Sequence, residues 1–265
     1  MALVSFQILS DLHLETHPSY DSFTFTKTAP NLALLGDIGH VANNHLFTFL
    51  EAQLNRYSVV FFLLGNHEPY HMSFKTAKSK MRAFQTKVDK RSSTMGKFVF
   101  LDQTRYDLTS NLTILGCTLF SRISPKQDFA VESRMVDFRD ILRWTTDDHN
   151  EAHQADLVWL NAQVSKMARD EPQRRIVVFT HHSPSLDARC TDPRHAGSEV
   201  TTGFATDLSM EKCWTSSMVR AWVFGHTHYS CAFTDENGKA VLSNQKGYYL
   251  LPEKAFDAER VFRVE

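Results

Sequence analysis

Residues 59–68 read Val59-Val60-Phe61-Phe62-Leu63-Leu64-Gly65-Asn66-His67-Glu68, an unbroken apolar run that ends abruptly in polar residues. Such a run has the pattern of a strand buried on both faces, as internal strands of a parallel sheet are. Gly65 interrupts it and allows a sharp turn. In open α/β sheets ligands sit outside the carboxyl ends of strands, so Asn66 and His67 stand where chemistry is expected.

Working outward, the same layout recurs four times. Leu3 to Leu9 alternates as a strand and ends at Ser10-Asp11-Leu12-His13, and Leu32 to Leu35 ends at Gly36-Asp37. Ile176 to Phe179 ends at Thr180-His181-His182, and Val219 to Phe224 at Gly225-His226-Thr227-His228. Between these strands, Leu46, Leu50 and Leu54 recur every four residues and predict an amphipathic helix over 45–56. The stripe Phe74, Ala77, Met81, Phe84 and Val88 predicts a long second helix, and Leu157, Leu160, Val164 and Met167 a third near 151–169. The first 64 residues therefore read as a β-α-β unit with a parallel sheet. Phe98 to Leu101, a hairpin around Ser110-Asn111 and strands over 229–234, 239–243 and 260–264 make the whole sheet system mixed. Phe23 and Phe25 suggest a short edge strand. Residues 121–150 and 183–215 read as irregular excursions from one domain spanning 1–265, and long stretches of that kind are usually functional.

Composition narrows the classes. Of 265 residues, 42 % are apolar and 22 % charged, an ordinary globular balance that allows a sizeable core. Lys plus Arg is 29 against 30 for Asp plus Glu, so no basic field attracts nucleic acid. No run is long enough to span a membrane. Ser10-Asp11 follows the start too soon for a secretory signal. Cys117, Cys190, Cys213 and Cys231 are widely spaced, which fits reduced thiols in the cytoplasm better than a disulfide framework.

Five strand ends thus deliver Asp11 and His13, Asp37, Asn66 and His67, His181, and His226 and His228 to one edge. In extended backbone, residues i and i+2 point the same way, so each pair two apart is expected to face one point. Setting His67 aside, two carboxylates, one amide and four imidazoles are too many ligands for one tetrahedral ion. Without cations the carboxylates would repel. Two metal ions answer both points, with Asp37 bridging them, and a mixed O/N set without thiolate suits manganese, iron or zinc. Two metals roughly 3.5–4 Å apart hold a hydroxide and clamp an in-line displacement, which suits phosphoester hydrolysis. His67, redundant as a ligand, is the candidate acid for the leaving oxygen.

At these residues the sequence resembles the calcineurin-like metallophosphoesterase superfamily. The pattern DxH, GD, GNH, H and GHxH appears in order as Asp11-Leu12-His13, Gly36-Asp37, Gly65-Asn66-His67, His181 and Gly225-His226-Thr227-His228. The resemblance implies a four-layer α/β/β/α sandwich, two mixed β-sheets flanked by helices. It implies that Asp11, His13, Asp37 and His228 bind one metal, that Asp37, Asn66, His181 and His226 bind the other, and that His67 is the leaving-group catalyst. The Ser/Thr protein phosphatase branch carries an arginine after its GD motif. None stands near Gly36-Asp37-Ile38-Gly39-His40, which points away from that branch.

The expected substrate is a small phosphomonoester or phosphodiester, such as a nucleotide. A binding scaffold without turnover is the alternative, with a nuclease behind it. His67-Glu68-Pro69-Tyr70-His71 matches the HExxH zinc-protease pattern, but Pro69 and the preceding strand oppose the helix that motif needs. His182 is an alternative to His181 as ligand. His40 is either an outer partner of the site or a loop histidine. Arg189, Arg194 and His195 sit in the overhanging loop, as phosphate contacts or as a solvated charged surface. His17, His45, His71, His149 and His153 read as ordinary polar positions.

Overall fold

The computed structural model describes residues 3–16, 19–91 and 94–265. His17 lies outside them. The apolar runs form β1 (Val4–Leu9), β2 (Asn31–Leu35), helix α1 (Asn44–Leu54), β3 (Val59–Leu63), α2 (Phe74–Asp89) and β4 (Lys97–Phe100). The helices start where capping chemistry allows. Asn43 accepts from the His45 N–H before α1, and Ser73 from the Thr76 N–H before α2. The hairpin follows as β5 (Thr104–Asp107) and β6 (Leu112–Gly116), then α3 (Asp128–Arg134), α4 (Asp137–Asp140), α5 (Thr146–Asp170) and β7 (Arg175–Phe179). Last come α6 (Lys212–Thr215), β8 (Val219–Phe224), β9 (Cys231–Thr234), β10 (Ala240–Ser243), β11 (Gly247–Tyr248), β12 (Leu251–Pro252) and β13 (Val261–Val264).

Two large sheets result. One has the order β13-β1-β2-β3-β4, parallel except for β13, and the other β5-β6-β7-β8-β10-β9, with antiparallel edges at β5 and β9. Strand alternation sorts side chains into layers. Phe6, Ala33, Leu35, Phe61 and Leu63 of the first sheet meet Ile114, Val177, Phe179 and Val223 of the second in a shared core. The intervening residues face outward: Leu34 and Phe62 pack on α1 and α2, and Val178 and Trp222 pack on α5 and α6. Helix, sheet, sheet and helix therefore stack as the expected four layers, with a hydrophobic core on each side of each sheet.

Several local expectations are corrected. Phe23 and Phe25 are loop residues packed against the outer core of the first sheet, not an edge strand. Helix α5 starts at Thr146, earlier than its apolar stripe, because Thr145 and Asp148 form a reciprocal capping box. The stretch 121–150 is not irregular: it holds α3 and α4 as well as that start. Residues 183–215 are built from three short 3-10 turns and α6. His149 and His153 are buried, not ordinary polar positions. His149 accepts from the Ser121 N–H, and His153 bonds the Leu119 carbonyl. His45, His71 and His195 are exposed.

Candidate metal centre

Because β1, β2 and β3 run parallel, as do β7 and β8, their carboxyl ends gather at one edge of each sheet. The edges are tied together at the site. The His181 Nδ1–H, from the second sheet, donates to the Leu35 carbonyl of the first at 2.8 Å, and Thr118 donates to the Leu64 carbonyl at 2.8 Å.

All seven expected ligands converge there. One grouping is Asp11, His13, Asp37 and His228, and another is Asp37, His181 and His226, with Asp37 common to both. His228 Nε2 lies 3.4 Å from Asp11 Oδ1 and 3.0 Å from His13 Nε2. His181 Nε2 lies 3.4 Å from Asp37 Oδ2 and 3.0 Å from Asn66 Oδ1. Two donors each ~2.1 Å from a shared ion at a right angle would be about 3 Å apart, so these donors are spaced as ligands of a common cation. No thiol is among them, and the set fits a pair of first-row or zinc-type ions.

The backbone that achieves this is not extended. Asp11 (φ 53°), His13 (φ 47°), Asp37 (φ 52°), His226 (φ 69°) and His228 (φ 48°) are all left-handed. The i, i+2 argument therefore reaches the right convergence through the wrong conformation. Asp and His tolerate this region better than most residues, but each such position still carries strain of order 1 kcal/mol or more. Glycines make room beside them. Gly36 is itself left-handed at φ 85°, and a Cβ at Gly65 would strike Asp37 Oδ1.

Electrostatics follow from crowding. Burial pushes the Asp37 carboxyl up, but the His181, His67 and His13 imidazoles overcome it and hold the group well below the usual carboxylate range. Burial likewise opposes charge on His181, yet Asp37 and Asp11 raise it to about 10. The buried carboxylates are balanced by imidazole charge, the role a cation takes when one binds.

His67 adjoins this cluster without joining either grouping that holds Asp37. Its N–H donates to Asp37 Oδ1 at 2.9 Å, its Nδ1 meets Glu15 Oε1 at 3.2 Å, and its Nε2 meets the Tyr248 hydroxyl at 3.2 Å. Burial lowers its pKa, but Asp37 and Glu15 raise it to about 9. His182 points elsewhere. It lies over the His226 ring at 4.0 Å with neither ring nitrogen hydrogen-bonded, so His181 is the residue facing Asp37. His40 stands 3.9 Å from Glu15, outside the ligand groupings.

Sequence reading missed the supports. Glu15 receives His13 Nδ1 at 3.1 Å as well as His67, and burial notwithstanding, those two imidazoles bring it down to about 2. Asp137 of α4 accepts the Asn66 amide N–H at 2.8 Å and the Tyr70 hydroxyl at 2.5 Å, which turns the amide oxygen toward His181. Glu68 accepts the N–H groups of Asp37 at 2.9 Å, Ile38 at 2.7 Å and Gly65 at 2.7 Å. Tyr248, on the β11–β12 hairpin, has its ring 4.4 Å from that of His13. Glu68 directly follows the Asn66-His67 pair and was open to a sequence reading. Glu15, Asp137 and Tyr248 carry no motif.

The cluster opens into a cavity of about 540 Å³ bounded by Asp37, Asn66, His67, His226 and His228 at its inner end. Arg194 and His195 border it, and Arg194 is held by Asp192 at 2.5 Å. Arg189 instead lies over Phe233 at 3.8 Å, paired to Asp187 at 2.6 Å. Among the described residues no helix is long and apolar enough to cross a membrane.

A family model described as calcineurin-like phosphoesterase matches residues 5–230. The chain is 27 % identical over 263 residues to uncharacterized protein L509 of Acanthamoeba polyphaga mimivirus, covering 91 % of this chain and 90 % of that one. It is similar in fold to a phosphopantetheinyl hydrolase from Mycobacterium tuberculosis, with TM-score 0.65 and 14 % identity across 93 % of this chain and 90 % of that one. It is similar as well to a dimetal phosphatase from Danio rerio, with TM-score 0.51 and 16 % identity across 91 % and 87 %. The likeness to these two structures concerns the fold. With the family match spanning most of the sequence, the chain belongs to the calcineurin-like phosphoesterase family and is a metal-dependent phosphoric ester hydrolase.

Proposed function

We propose that this chain hydrolyses a small phosphomonoester or phosphodiester at a two-metal centre. Asp11, His13, Asp37 and His228 would hold one ion, and Asp37, Asn66, His181 and His226 the other. Manganese, iron and zinc suit the donors equally. The observation that carries the reading is the sharing of Asp37 by two separate ligand groupings. When bound, such a pair supplies a nucleophile at neutral pH and neutralises charge building on the phosphoryl oxygens.

The protein's own part is positioning and proton transfer. Glu15 holds His67 through Nδ1, which leaves Nε2 as the atom that delivers a proton to the leaving oxygen. The Tyr248 hydroxyl at 3.2 Å marks a point that oxygen would take. A single domain over 1–265 carries the site, and the excursions at 121–150 and 183–215 shape the approach to it, as Asp137 and the cavity wall support. The four buried free cysteines favour a reducing, cytoplasmic setting.

The test is hydrolysis of an aryl phosphate with added manganese, compared with a His67→Ala variant. Loss of 10²- to 10⁴-fold in kcat with metal content retained is expected for a general acid. A His67→Ala enzyme as fast as the parent would end that assignment. Bound metal with no hydrolysis of any mono- or diester would favour a scaffold.

A further inference from the structure

The cavity beyond the metal cluster is far larger than a phosphoryl group. A water in the liquid occupies ~30 Å³, and ligand pockets of ~300–1,000 Å³ hold drug-sized molecules. At about 540 Å³ this one leaves most of its space to whatever the phosphorus is attached to. Its wall is mostly apolar, built by Met135, Val136, Leu186, Val200, Phe204 and Leu251. The apolar wall reaches the cluster itself, because the Phe204 ring stacks on His226 with centroids 4.7 Å apart.

Charge at the mouth argues in the same direction. Arg134 is paired with Glu199 at 2.6 Å, and Arg194 with Asp192 at 2.5 Å. Glu253 adds a further carboxylate to the lining. No excess of positive charge therefore awaits a second phosphate, and a polyanionic group would meet carboxylates at the rim.

Resting on the phosphoesterase reading above, we infer that the substrate carries a single phosphoryl group esterified to an extended, uncharged, largely apolar alcohol. Nucleoside polyphosphates and other substrates with a second phosphate are disfavoured. Phe204, Leu186 and Leu251 are its specificity-determining residues.

Primary alkyl esters test this cleanly, because their leaving groups differ little in chemistry. With manganese present, kcat/KM is to be compared for ethyl phosphate, n-hexyl phosphate and 1,6-hexanediol bisphosphate. Each buried methylene is worth roughly fourfold, so the hexyl ester should exceed the ethyl ester by at least tenfold, and the bisphosphate should lose that gain. Affinities of ethyl- and n-hexylphosphonate by titration calorimetry give a readout that needs no turnover. The hexyl compound should bind at least tenfold more tightly and with a negative heat-capacity change. Leu186→Lys, at a position 53 % exposed where the ammonium can reach solvent, should collapse the hexyl-to-ethyl ratio and raise the bisphosphate. Equal affinities for the two phosphonates, or equal kcat/KM for all three esters, would overturn the inference while leaving the phosphoesterase reading in place. Chain-length selectivity in binding without hydrolysis of any ester would leave the apolar binding preference standing but overturn the phosphoesterase reading, and with it the assignment of a substrate.

Discussion

At the scale of single residues, the centre depends on one shared carboxylate and on the groups that hold its neighbours. Asp37→Asn should weaken both metal sites together, and metal analysis of the purified variant is the check. Loss of only one equivalent with activity retained would remove Asp37 as the bridge. Glu15 contacts both His13 and His67. A carboxylate that holds the far ring nitrogen of a metal-binding histidine is worth about 10- to 100-fold in metal affinity or activity. Glu15→Gln should therefore lower both metal affinity and kcat, whereas His67→Ala should lower kcat alone. Titrating the two apo variants with manganese separates these outcomes.

At the scale of elements, the two excursions turn out to be working parts. Helix α4 is four residues long, yet its Asp137 fixes the Asn66 amide. Asp137→Ala should free that amide and cost metal affinity by a similar 10- to 100-fold, measured against an unchanged far-UV spectrum. Helix α5 carries a pH liability. Burial, then the nearby charge of His153, holds His149 down at about 3, against 6.5 when unfolded. The unfolded chain therefore binds the extra proton first. Stability is full above pH 6.5 and falls as pH drops through the window toward 3. Between pH 7 and pH 5 the loss at this residue is about 2 kcal/mol. Urea unfolding at both values should show a smaller drop for His149→Gln, which keeps an acceptor for the Ser121 N–H.

Much of this was legible beforehand because strand ends announce themselves. The runs before Asp37, Asn66 and His181 are almost wholly apolar, those before Asp11 and His226 are apolar but for Ser5, Gln7 and Arg220, and the structure brings the seven residues expected as ligands together. What escaped was contact between residues distant in sequence. Asp137 is 71 positions from Asn66, and Tyr248 is 181 from His67. No periodicity encodes such pairings. The start of α5 was missed for another reason: its first turn is specified by Thr145 and Asp148 rather than by an apolar stripe.

For the whole molecule, the site's geometry is only as firm as the seam between the two sheets. Phe6 and Phe61 of the first sheet and Phe179 of the second form a ring cluster with centroids 5.6–6.0 Å apart. Phe179→Ala should cost about 3–5 kcal/mol, a large share of an ordinary domain's stability. It should also couple non-additively to Phe6→Ala in denaturant unfolding. Since β3 and β7 supply Asn66 and His181 from opposite sheets, a variant that folds with a loosened seam should bind metal less tightly although no ligand has changed.

The left-handed turns at Asp11, His13, Asp37, His226 and His228 have a consequence for how such a chain can be improved. Relaxing any of them with glycine would ease the backbone while deleting a ligand. Selection for heat resistance alone would therefore drift toward durable but inert variants, and thermostabilising screens on this protein must keep turnover in the selection.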